Sequence, residues 1–174
     1  MIQSDMKLEF GRFLCILTFP AYVAAQTPGT ASVVVRNGAH EVRLPAADLA
    51  TLPRRVVDTT DGGQTVRFEG VRLSDALEQA VVTFGQTMRG ARLGTYLLAR
   101  AGDGYQVVFA LPEIDPDFAE RDIIIADRQD GRPLPARDGP LRVIAPGDKR
   151  HARWVRGLQA IEMHTAPDAK PDAK

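Results

Sequence analysis

Two short strand-like runs, the apolar-centred 32–36 and 40–44 with apolar Val42 and Leu44, flank Asn37-Gly38, the dipeptide most favoured in a two-residue hairpin turn. They predict a β-hairpin. Residues 45–50 place Pro45 at the first position of one helical turn, and a strand pattern follows over 54–60, the turn Asp61-Gly62-Gly63 and 65–68. Behind Leu73 the period changes. Ala76, Leu77, Ala80, Val81 and Phe84 recur at helical spacing, predicting the one main helix over 74–84, with Ser74 as N-cap and Gly85 as its stop. Strand patterns return at 95–100 and 105–110 around Gly102-Asp103-Gly104, then at 122–127, 141–145 and 154–163. The run at 122–127 is continuously apolar in its middle and so needs cover on both faces. Residues 128–140, rich in Asp, Gly, Pro and Arg, read as loop. With many strands and one good helix, the expected fold class is α+β, a β-rich mixed-sheet domain.

The first 25 residues break this pattern. Lys7 and Arg12 precede an apolar run over 13–19, then come Pro20 and Val23-Ala24-Ala25, the layout of a secretory signal peptide cleaved after Ala25. Met6-Lys7 offers a second start. Residues 1–25 therefore read as signal, 26–164 as a single domain, and 165–174, which lack apolar periodicity, as a disordered tail. Export implies a periplasmic protein. The apolar run is too short for a permanent membrane span, and no later stretch nears the roughly 20 apolar residues that spanning needs, so no membrane insertion is expected after cleavage.

The chain carries one cysteine, and it is Cys15. The mature domain is thus expected to be cysteine-free, without disulfide, thiolate metal ligand or cysteine nucleophile. Charge is balanced at 22 basic and 22 acidic residues, and cleavage removes equal numbers of each sign. A neutral domain is a poor electrostatic partner for nucleic acid.

Local chemistry is sparse. His40, His151 and His164 share no metal-binding spacing, so no metal site is expected. Ser32 and Ser74 sit in no nucleophile elbow, so no catalytic residue is assigned. The carboxylates Glu113, Asp115, Asp117, Glu120 and Asp122 read as a solvated loop. What remains is a set of Gly- and Arg-rich loops whose amides and cations could hold a small anionic ligand such as a phosphate. The candidate binding residues are Tyr105, Arg142, Lys149, Arg150, His151 and Arg153, although Tyr105 and Trp154 also read as core aromatics.

From Val56 to Met163 the chain resembles the molybdopterin-binding domain of sulfite oxidase-type oxidoreductases, in particular its small exported relatives. The resemblance is carried by Phe68-Glu-Gly-Val-Arg-Leu73, Asp103-Gly-Tyr105, Ile124-Ile-Ala126, Asp130-Gly131-x-Pro-Leu134, Gly139-Pro-Leu-Arg-Val-Ile-Ala-Pro146 and Trp154-Val155. It implies a mixed α+β fold and, in catalytic members, a molybdenum–pterin cofactor whose metal takes one cysteine thiolate from the protein. The corresponding stretch here, near Arg55-Val-Val-Asp58, has none.

The expectation is therefore a periplasmic protein on this fold, without molybdenum redox catalysis, binding a small anionic ligand or a partner protein. No cofactor is expected, molybdopterin entering only through the resemblance. Two alternatives stand beside it. One is a molybdopterin-dependent oxidoreductase subunit with a non-cysteine metal site and a redox partner; the other is a sensory or adaptor domain for a membrane signalling protein. Under the first reading, replacing Arg142 by Ala weakens ligand binding and leaves the domain folded.

Overall fold

The structure is a computed structural model that describes residues 31–167. The signal peptide read over 1–25 and most of the tail read over 165–174 lie outside the described residues. Thr165 itself still pairs with Thr95, and the Ala166 N–H donates to the Gly94 carbonyl.

Among the described residues, ten strands form two five-stranded sheets. The first has the order β2-β1-β10-β5-β6, built from β1 (Ser32–Asn37), β2 (His40–Pro45), β5 (Thr95–Ala101), β6 (Gln106–Ala110) and β10 (Leu158–Thr165). Its first and last strands in sequence, β1 and β10, run parallel, and its other pairs are antiparallel. The sheet is mixed, as expected. The second sheet joins β3 (Arg54–Asp61), β4 (Gln64–Arg72) and β7 (Ile124–Gln129), with β8 (Arg132–Pro133) and β9 (Arg142–Ile144) both laid against β7. Val33, Val35, Leu97 and Phe109 of the first sheet and Phe68, Val71, Ile125 and Val143 of the second belong to one contiguous core. The period of two in β5, where every other residue is buried, is what a sheet with one covered face produces.

Local turn chemistry accounts for two differences from the sequence reading. The first hairpin turns on Gly38-Ala39, with Asn37 paired to His40, one residue later than Asn37-Gly38 suggests. Gly38 has φ +59° and Ala39 is not left-handed, so glycine stands at the first central position, as a II′ turn requires. In the stretch read as loop, Asp130 and Gly131 both have positive φ, the I′ geometry that Asp-Gly favours. They fold β7 onto β8, and Asp130 exchanges backbone and side-chain hydrogen bonds with Arg67 of β4.

The main helix differs more. Alpha-helix α1 is the single turn Ala46–Leu49, and α2 spans only Leu73–Glu78, not 74–84. Ser74 is no cap: it is buried inside α2 beside Asp75, and the N-cap position is Arg72. The orphan N–H of Leu73 is taken instead by the Ile123 carbonyl ahead of β7. The helix ends because the Val81 N–H bonds to Glu78 and the Val82 N–H to Leu77, a Schellman closure that needs a left-handed residue at Val81. Val81 has φ 62° and is 79% exposed. The reversal buries Val82 in place of Val81, so core packing overrides the helical period.

A β-branched residue at positive φ is strained, and this side chain has little packing to lose. Val81→Gly is expected to stabilise the domain by about 0.5–1 kcal/mol, relief of strain exceeding the added chain entropy. The check is a higher urea midpoint at unchanged m-value; an unchanged or lower midpoint counts against a strained closure.

Candidate functional site

Asp61 ends β3, and Gly62-Gly63 turns the chain into β4. At the opposite side of the same place, the single 3-10 turn His151–Arg153 leads into Trp154. Trp154 is buried, donates its indole N–H to the Ala145 carbonyl at 2.9 Å, and meets Phe68 edge to face at 5.7 Å. His151 stacks on its outer side with ring centres 3.6 Å apart, and His151 Nδ1 lies 3.2 Å from Asp61 Oδ1.

Beneath this stack lies Arg142, 2% exposed, the largest fully buried side chain among the described residues. Its guanidinium carbon stands 5.4 Å from the Phe68 ring centre and 5.3 Å from that of Trp154, within cation–π range. Its carboxylate partners, Asp138 and Asp61, are each at 3.8 Å, beyond hydrogen-bond reach. Burial pushes the Arg142 guanidinium below its ordinary value, Asp138 and Asp61 oppose that, and Arg156 and Arg137 add to it. Arg142 stays protonated all the same, since guanidinium is not deprotonated in proteins.

The six candidates therefore part company. Tyr105 and His151 line one hollow of about 270 Å³ together with Asp103, Ala152, Trp154 and Arg156. Tyr105 is not a core aromatic: it is 47% exposed and donates its O–H to the Ala152 carbonyl at 2.5 Å. Arg142 lies under the hollow, outside its wall. Lys149 and Arg150 are exposed and line neither this hollow nor the larger groove beside it.

Arg153 is held in an ion-pair network. It bonds Asp148 at 2.8 and 2.9 Å and Glu113 at 3.1 Å, over the Phe109 ring, while Arg121 bonds the same two carboxylates. Its proton affinity is raised, chiefly by the Asp148 hydrogen bonds. The acidic run around it is not simply a solvated loop. Glu113 is part of this network, and Asp115 is fully buried, accepting from the N–H groups of Gly85 and Asp117.

The feature that sequence reasoning missed adjoins the hollow. A groove of about 830 Å³ carries Arg36, Arg43, Arg100, Arg137 and Arg156 on its wall, with Asp103 as the only carboxylate there. Arg36 is paired with Glu41 at 2.8 Å and with Glu162 at 3.4 Å, and Arg100 with Glu162 at 3.1 Å. Among the described residues Arg43 bonds only the Ser32 hydroxyl, at 2.7 Å. Three guanidiniums, Arg137, Arg142 and Arg156, share the one buried carboxylate of Asp138. Arg156 Nε is 2.9 Å from Asp138 Oδ1 but off the line of a hydrogen bond, which leaves that oxygen without a donor. Asp103 and Arg156 border both spaces, so groove and hollow form one basic depression.

One mixed sheet and one antiparallel sheet, joined by short helices and carrying an arginine-lined depression, define a β-dominated α+β domain. Residues 35–171 match the family described as the oxidoreductase molybdopterin binding domain, and the chain belongs to that family. No curated protein matches it. Among solved structures it is similar to the sulfane dehydrogenase SoxCD from Paracoccus pantotrophus, at 17% identity and a TM-score of 0.63, over 79% of this chain and 39% of that one. That likeness is one of fold, and the chain spans well under half of the other protein.

A thiolate-ligated molybdenum does not fit the residues present. The stretch 55–58 lies in β3, where Val57 is buried and Asp58 is paired with Arg67 at 2.8 Å. Among the described residues no group of three or more His, Cys, Asp and Glu could hold a metal ion, and none is cysteine. A soft anionic sulfur donor has no obvious substitute here.

Two predictions follow from burial and charge. The Arg142→Ala variant is expected to lose about 2–5 kcal/mol of stability, because removing a fully buried side chain leaves a cavity beside the Phe68 and Trp154 rings; denaturant unfolding measures it, and an unchanged midpoint would support the expectation of a domain left intact. For Asp148, hydrogen bonding from Arg153 and attraction to Arg153 and Arg121 hold the carboxyl below its usual range against a burial penalty. A depressed folded value means its contribution is full above about pH 4 and is lost as the pH falls through the lower folded value. The urea midpoint of the wild type should thus fall more steeply below pH 4 than that of Asp148→Asn, the two curves converging in acid.

Proposed function

We propose that the chain is a periplasmic member of this family that binds a small anionic ligand in the arginine-lined depression and performs no molybdenum redox chemistry. One observation carries the ligand reading: five arginines face one carboxylate on the groove wall. Cations gathered on a concave wall focus their field and raise the local concentration of anions, and guanidinium forks match carboxylate and phosphate oxygens. Arg137 and Arg156 are 82% and 58% exposed at the side chain and share Asp138 with Arg142, so their outer donors are free for a ligand. The absence of a thiolate from the domain supports the second half. Export rests on the N-terminal pattern of basic residues, short apolar run and small residues.

The test begins with protein purified from the periplasm of a host that makes molybdenum cofactor, analysed for molybdenum by elemental analysis and for pterin by fluorescence after oxidation. Background values are expected, and near-stoichiometric metal and pterin would sink this reading. Calorimetric titration with inorganic pyrophosphate then measures anion binding. Arg137→Ala with Arg156→Ala should weaken it about tenfold or more, the scale of one or two lost charge-assisted hydrogen bonds. Absence of binding by the wild type, or equal binding by the variant, would refute the anion site.

A further inference from the structure

The smaller hollow has a chemistry of its own. His151 Nδ1 faces Asp61 Oδ1 at 3.2 Å, and an ionised carboxylate can only accept. The proton of the neutral imidazole is therefore on Nδ1. Nε2 is left as a lone pair, makes no hydrogen bond among the described residues and is not sealed from solvent, while stacking on Trp154 fixes the ring plane.

Tyr105 is placed in the same sense. Its hydroxyl hydrogen goes to the Ala152 carbonyl, so toward a ligand the phenol oxygen can only accept. Asp103, which takes the Tyr105 backbone N–H at 2.9 Å, is an acceptor as well. Against these three acceptors the wall of the hollow offers one cationic side chain, Arg156. Arg142 is charged but lies beneath the floor, facing Asp61 and Asp138. A bare oxyanion filling this space would set its oxygens against His151 Nε2 and Tyr105 Oη. An anion carrying hydroxyl groups would not, since its O–H groups donate to those acceptors while its charged end meets Arg156.

We infer that the ligand is a hydroxylated organic anion, of the class of polyol phosphates or hydroxy acids, whose hydroxyl donates to His151 Nε2 and whose anionic group lies on Arg156. Asp61 is a positioning residue that holds the imidazole in the accepting tautomer. The inference rests on the anion-binding reading and adds which anions are preferred.

The experiment compares glycerol 3-phosphate with n-propyl phosphate, equal in charge and differing in hydroxyls, by calorimetry on the full domain. The wild type should favour glycerol 3-phosphate by about tenfold, the worth of one or two hydrogen bonds. His151→Phe keeps a ring on Trp154 and should reduce the ratio severalfold, because glycerol 3-phosphate loses the acceptor for one hydroxyl while propyl phosphate, which has no hydroxyl, loses no hydrogen bond. Equal affinities in the wild type, or a ratio that survives His151→Phe, would overturn the inference and leave anion binding standing; no binding of either phosphate would overturn both. The tautomer is read separately from the imidazole nitrogen shifts in the NMR spectrum of the unliganded wild type. A proton on Nε2 in place of Nδ1 would refute the accepting role.

Discussion

Arg142 is a full charge placed where water does not reach, and much of the site is arranged around that fact. Its guanidinium is flanked by the Phe68 and Trp154 rings and faced by Asp138 and Asp61. Those partners come from β4, the turn before β10, the loop before β9 and the end of β3. One side chain therefore ties together segments far apart in sequence. A charge so enclosed is tolerable only when its neighbours compensate it, and here the compensation is made of long ion pairs and aromatic faces rather than short hydrogen bonds. Among the described residues its Nε has no acceptor. The same grouping sets the pose of His151, which rests on Trp154 and reaches Asp61.

Above this buried centre the balance of charge shifts sign with depth. Overall the chain is neutral, yet the groove is strongly basic because acids and bases are sorted by position. Glu41, Glu162 and Asp138 pair with several of the arginines without lining the groove, and Asp103 is the one carboxylate on its wall. The groove arginines belong to different strands. Arg36 is in β1, Arg43 in β2 and Arg100 in β5, and they share a region only because the sheet order sets β2, β1, β10 and β5 side by side. Balanced composition excludes a basic protein; it does not exclude a basic site.

The family fold and a thiolate-held metal make separate demands on a chain. The two sheets and the Gly-Pro-Leu-Arg segment are present, with Arg142 in the core, while the described residues include no cysteine. Conserving the architecture needs apolar strands and one compensated arginine. Binding a high-valent metal needs a particular anionic ligand at one position, and a fold can lose that without losing its core.

The strands were legible from the chain alone because alternation is local: each of β1, β2, β5, β6 and β7 lies within a few residues of where its pattern places it. Glycine turns were legible for the same reason, and so were the lack of a thiol and the lack of metal spacing. The helix was misjudged because Val81 and Phe84 fit the helical period, whereas burial of Val82 and the closure at Val81 depend on what packs above α2. Tyr105 and His151 were picked out by composition, but so were Lys149, Arg150 and Arg153, since a sequence shows that cations are near each other and not which are already paired. Glu113 and Asp148 claim Arg153; Asp61 claims His151 from about ninety residues away. Hydrophobic period and turn chemistry are properties of neighbouring residues, and the sequence determined them. Which charges are paired, buried or left to face a ligand depends on contacts between distant strands, and only the tertiary structure decided that.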